Sequence, residues 1–192
     1  PCDVVVDNTD ELVWRLRALS ALHNTLGSKI VAIGDASGWG AGGQKAPQIA
    51  AEKWKMEIIP VSYDDLGKRI ESARADQALV QKATAEAAEY MDQRGVTLST
   101  DRGYVERAFV LAEVFKSLMA EHGSNAMTIN NCMSTIMPMS DTTACLPLTL
   151  INDSGALAFC ESDFVVIPSG ILLNHICHTP VFLNDPTYHH DG

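Results

Sequence analysis

The sequence predicts an α/β domain in three layers, with a mostly parallel sheet between helices. Three observations carry this reading. Short β-branched or apolar runs alternate with helix-length segments from residue 29 onward. Two long stretches, 75–94 and 101–122, have helical periodicity, and each is closed by a glycine, Gly95 and Gly123. The run from Gly155 to Asp185 reads strand, helix, strand. Such a unit is almost always a right-handed crossover, so its two strands would be parallel neighbours with their carboxyl ends on one edge of the sheet.

Taken in order, the chain opens with a short β-branched run and turns helical at Asn8, with Glu11 three residues on as in a capping box. Leu12, Leu16, Leu19, Leu22 and Leu26 recur at three- and four-residue steps, and Gly27 ends the helix, so one leucine face is expected to pack. Residues 29–36 (KIVAIGDA) read as a buried strand, followed by a loop rich in glycine. A helix near 46–54, a strand MEIIPV and a helix from Asp64 complete a β-loop-α-β-α order. The helix at 101–122 carries Val105, Phe109, Ala112, Phe115 and Met119 on one face. A strand near 126–130, a polar loop with Pro138 and Ser140, and an apolar element from Cys145 to Ile151 lead into the last unit. The chain is expected to form a single α/β domain over 1–192, with 1–27 either its own first elements or an incoming helix from a preceding domain, and the site borne by 28–192.

Composition bounds the function. At 192 residues and 46% hydrophobic, the chain can bury a real core. A formal charge of −10 and the lack of Lys/Arg clusters argue against nucleic-acid or anionic-membrane partners, whereas a neutral small molecule is compatible. There is neither an apolar run of spanning length nor a basic-then-apolar leader, so the cytoplasm is the expected compartment. Five cysteines, at 2, 132, 145, 160 and 177, form no CxxC pair and are expected to be reduced and mostly buried.

Two carboxylates stand out. Glu161 ends the apolar run 156–160, and Asp185 ends the run 180–184, so the crossover argument places both in one crevice at the carboxyl ends of parallel strands. Acids clustered in this way repel each other unless a cation or a proton offsets their charge. Asp163 is expected to cap the crossover helix, within which Pro168 and Gly170 are unusual.

The pattern CESD at 160–163, the Leu/Ile-rich crossover, TPVFLND at 179–185 and the following Tyr188 and His189 resemble the metal-binding centre of the L-fucose isomerase family. The run CLPLTLINDSG, 145–155, resembles it as well, and weaker matches reach back to about Lys29. The gap between the two acids, 185 − 161 = 24, is that of the family's Glu and Asp. The resemblance implies a Rossmann-like fold of the kind found in the fucose isomerase middle domain. It also implies manganese, or another divalent cation such as magnesium, held by Glu161 and Asp185, which double as the acid/base groups. The implied reaction is aldose–ketose isomerisation of a fucose- or arabinose-type sugar through an enediol, in a homo-oligomer. The family's third ligand is a His from a later domain. Because the chain starts at Pro1 and stops 192 − 185 = 7 residues after Asp185, it is expected to be a piece of a longer enzyme, inactive alone.

The remaining motifs are weaker. Gly38, Gly40 and Gly43 fit G-x-G-x-x-G, but residues 34–37 separate them from the strand end and no acid is placed for a ribose. The loop is therefore expected to line the crevice without holding a dinucleotide. A non-catalytic sugar- or nucleotide-binding module that uses this loop is the alternative function. His175 and His178 are expected at the far edge of the sheet as helix-end residues. His189 and His190 are expected to be loop histidines near the site.

Overall fold

The computed structural model describes residues 4–182. Four strands, β1 (Lys29–Ile33), β2 (Glu57–Val61), β3 (Ala126–Ile129) and β4 (Leu157–Phe159), form one all-parallel sheet in the order β2-β1-β3-β4. Val31 is the hinge of the register, paired with Ile59 on one side and with Met127 on the other. The three-layer α/β expectation holds.

Helices lie on both faces. Side chains alternate along a strand, so Val31 and Ile33 of β1 face one layer while Ile30 and Ala32 face the other. The first layer holds α3 (Tyr63–Ala75), α4 (Gln77–Met91), α5 (Arg102–Glu121) and α7 (Cys145–Asp153). Its centre is Phe115 of α5, wholly buried with Leu111 and Leu118 against Met127 and Ile129. The second layer holds α2 (Ala46–Lys53) and α8 (Ile167–Cys177), packed through Ala46, Ala50, Ile167 and Ile171, with α1 (Thr9–Thr25) alongside α8.

The helix ends follow their local chemistry. Asn8, Ser62, Asp76 and Asp101 each accept a hydrogen bond from a backbone N–H of the first turn. At α1 only half of the expected capping box forms. Asn8 accepts from the Glu11 N–H, but the Glu11 carboxylate turns forward to Arg15 at 2.6 Å. No helix among the described residues is long and apolar enough to cross a membrane.

Several expectations are corrected. The leucine stripe of α1 does not pack among the described residues: Leu19 is 65% exposed, and the buried positions are Ala21 and Thr25. The small side chains let α1 approach α8, where Thr25 Oγ1 lies 2.9 Å from His175 Nδ1. The segment around Pro138 and Ser140 is not a loop but a π-turn, Cys132–Ile136, running into a short helix, α6 (Met137–Ser140). Proline is accommodated there because it falls in the first turn, where its missing N–H costs nothing. The same reason explains Pro168 at the start of α8, which begins at Ile167, four residues after Asp163. The expected cap by Asp163 is thereby overturned: its Oδ1 accepts from the N–H groups of Val165 and Trp39 instead. Gly170 is needed for packing, since a Cβ there would press on the ring of Phe159. Of the free cysteines described, Cys132 alone is buried, so the expectation of mostly buried thiols fails.

Candidate functional site

The strand order reverses between β1 and β3, because the chain leaves β1 toward β2 and later returns to its other side. Beyond the carboxyl ends of strands at such a reversal, helices diverge and leave a crevice. Three loops meet there.

The loop after β1 crosses toward the loop after β4. Ser37 and Asp163 form an isolated parallel bridge, Phe164 N–H donates to Ser37 O at 3.0 Å, and Trp39 N–H donates to Asp163 Oδ1 at 3.0 Å. Within this loop Gly38 and Gly43 lie backbone to backbone, so a Cβ on Gly43 would collide with the Gly38 carbonyl. These glycines serve the loop's own close packing. The loop after β3 starts at Asn130, whose Nδ2 donates to Asp35 O at 2.9 Å, followed by Asn131 in the left-handed conformation at φ 48°. The loop after β4 holds two successive left-handed residues, Glu161 at φ 63° and Ser162 at φ 46°.

Each non-glycine residue so placed costs about 1–2 kcal/mol, and such strain concentrates where a site must be held. Ser162 adds to it, for its wholly buried hydroxyl has no hydrogen-bond partner among the described residues.

The turn at Glu161 directs its carboxylate toward two thiols. Cys132 Sγ–H donates to Glu161 Oε1 at 3.1 Å, Cys160 Sγ lies 3.5 Å from the same oxygen, and the two sulfurs are 3.8 Å apart. Burial raises the pKa of Cys132, helped by the Glu161 carboxylate. Burial also raises that of Cys160, followed by the effects of Cys132 and Glu161, so both thiols hold their protons at neutral pH. Cys160 as a residue is exposed, but its thiol is turned toward Cys132 and Glu161.

Glu161 also lines a pocket of about 330 Å³ with Trp39, Phe159, Asp163 and Phe182. Asn152 forms part of the wall. Its side chain is committed to structure, since Nδ2 donates to Leu148 O and Ala158 O while Oδ1 accepts from Ala158 N–H, fixing α7 to β4.

Of the two expected carboxylates, Glu161 is placed at the carboxyl end of β4. Asp185, with His189 and His190, lies outside the described residues. Residues 180–182, the described part of the expected second strand, pair with no strand. His175 is indeed remote. His175 lines a different pocket with Lys29, Ala126 and Leu157, the first residues of three strands, at the amino edge of the sheet.

Sequence reasoning missed the two thiols. Cys132 and Cys160 are 28 residues apart and match no ligand spacing, and the signal available was only that both lie shortly after strands of the same parallel sheet, Cys160 directly after β4 and Cys132 beyond Asn130 and Asn131 after β3. The described donors fit a hard cation in part: Glu161 offers the oxygen that manganese selects, but its neighbours are sulfurs, which it does not. Compared with known proteins, the chain matches no family model and no curated protein.

Proposed function

We propose that this chain carries the acid/base edge of a divalent-cation-dependent sugar isomerase, interconverting an aldose and a ketose of fucose or arabinose type. The observation that supports it is the Glu161 carboxylate, held in a strained turn at the carboxyl end of β4 and lining a pocket with aromatic walls. A sugar offers such a pocket an apolar C–H face for Trp39, Phe159 or Phe182 and hydroxyls for the carboxylates.

Isomerisation moves a proton between adjacent carbons, so a base must sit beside the C1–C2 bond. Glu161 takes that role, and the proposal assigns Asp185 as its partner. The cation, held by these two acids, would polarise the carbonyl and hydroxyl oxygens of the open-chain sugar. Asp163, by accepting from Trp39 and Val165, positions the loop that closes over β4. The acidic balance of −10 suits a neutral substrate.

The test is aldose-to-ketose conversion by the full-length gene product with added manganese, beside Glu161→Gln and Asp185→Asn. Each variant is expected to lose at least about 100-fold in kcat, the range of general acid–base catalysis. Unchanged turnover in both variants, or no turnover of any aldose by the parent protein, would sink the reading.

A further inference from the structure

The thiols beside Glu161 point to a chemistry that the isomerase reading does not use. We propose that Cys132, Cys160 and Glu161 form a binding site for a borderline or soft divalent ion of the zinc class.

The geometry carries the proposal. In a tetrahedral site with metal–sulfur bonds of about 2.3 Å and a metal–oxygen bond of about 2.1 Å, the sulfurs stand ~3.8 Å apart and each sulfur ~3.6 Å from the oxygen. Here the sulfurs are 3.8 Å apart and Cys160 Sγ is 3.5 Å from Glu161 Oε1. The third edge, from Cys132 Sγ to the same oxygen, is shorter at 3.1 Å, as a thiol–carboxylate hydrogen bond requires. Replacing that proton by an ion needs this edge to open by about 0.5 Å, a side-chain adjustment. Each thiol then releases its proton to solvent as its sulfur takes the metal.

The surroundings support a built site. Among the described residues this is the only group of three Cys, His, Asp or Glu side chains with ligand atoms within 4.8 Å of one another. The donors stand just beyond the ends of adjacent parallel strands, Cys160 and Glu161 after β4 and Cys132 at the start of the π-turn that follows β3. Left-handed residues stand at both places, Asn131 directly before Cys132 and Glu161 directly after Cys160. Cys160 and Glu161 line the pocket, which leaves the fourth position for a water or a ligand oxygen. Two sulfurs and one oxygen select zinc, cadmium or cobalt over manganese or magnesium.

This site shares Glu161 with the isomerase reading but needs neither Asp185 nor a sugar, so the two fail separately. The experiment is titration of the reduced protein with Cd2+ alone, followed by its ultraviolet thiolate-to-metal charge-transfer band. One ion per chain is expected, with the intensity of two thiolates. Cys160→Ser and Cys132→Ser should each halve the band and weaken binding at least about tenfold, the loss that even an outer-shell partner can cause. Glu161→Gln should weaken binding by a similar factor and keep the full band. The double variant Cys145→Ser/Cys177→Ser should bind as the parent does. Because Cys132 is buried and its replacement tests folding as well as binding, the exposed Cys160 supplies the deciding arm. A band unchanged in Cys160→Ser, or abolished in the Cys145/Cys177 variant, would overturn the site. So would complete displacement of Cd2+ by an equal concentration of Mn2+.

Discussion

The two edges of the sheet solve the same turning problem with different residues. Where the chain enters β1, β3 and β4, the left-handed positions are glycines, Gly27, Gly123 and Gly155, and only the turn into β2 uses another residue, Lys55. Where it leaves β3 and β4, the left-handed positions are Asn131, Glu161 and Ser162, with Gly34 after β1 the exception. Glycine adopts this conformation without the clash that a Cβ brings, so the amino edge is built for stability. The carboxyl edge retains polar side chains in strained turns, and one of them, Glu161, joins the thiol–carboxylate cluster and lines the pocket. The gathering of such strain beyond β3 and β4, against the single case of Lys55 among the turns into the strands, marks where a site is held.

The largest expected effect tests that division directly. Glu161→Gly relieves a left-handed residue while removing the carboxylate, so the proposed isomerase activity should fall at least about 100-fold, with no loss of thermal stability. A variant that lost both together would make Glu161 a structural residue and erase the contrast. At the amino edge, Gly123→Ala and Gly155→Ala have open space for a Cβ, so only the backbone conformation is taxed. Each should cost about 1–2 kcal/mol in denaturant unfolding, and neutral values would show that these turns relax freely.

Ser162→Gly should act in the opposite sense, gaining about 1 kcal/mol. It removes both a left-handed Cβ and a buried hydroxyl without a partner, and a loss of stability would mean that the hydroxyl is satisfied in solution.

The smallest effect lies at the amino edge, at His175. Burial lowers its pKa first and the neighbouring His178 lowers it further, so the folded state favours the neutral ring. The unfolded chain then binds the proton more readily, and stability is retained above pH about 6.5 and declines below it. Unfolding midpoints measured across that range should show a shallow fall that His175→Gln flattens, and an identical slope in the variant would place the titration elsewhere.

What the sequence determined by itself was local: β-branched runs, helical periodicity and the cap at Asn8 depend on neighbours within a few residues, and they specify the alternating order that a parallel sheet requires. Glu161 was legible for the same reason, as an acid ending an apolar run. The leucines of α1 misled because periodicity says that a helix has an apolar face but not which face its neighbour takes, and the close approach through Ala21 and Thr25 chose the other one. Only the tertiary structure decided the cluster. Cys132 and Cys160 meet because β3 and β4 are parallel neighbours, and the left-handed turn at Glu161 then brings its oxygen to both sulfurs. No spacing along the chain encodes that meeting, since the distance between two strand ends is set by the pairing of the sheet and not by the number of residues between them.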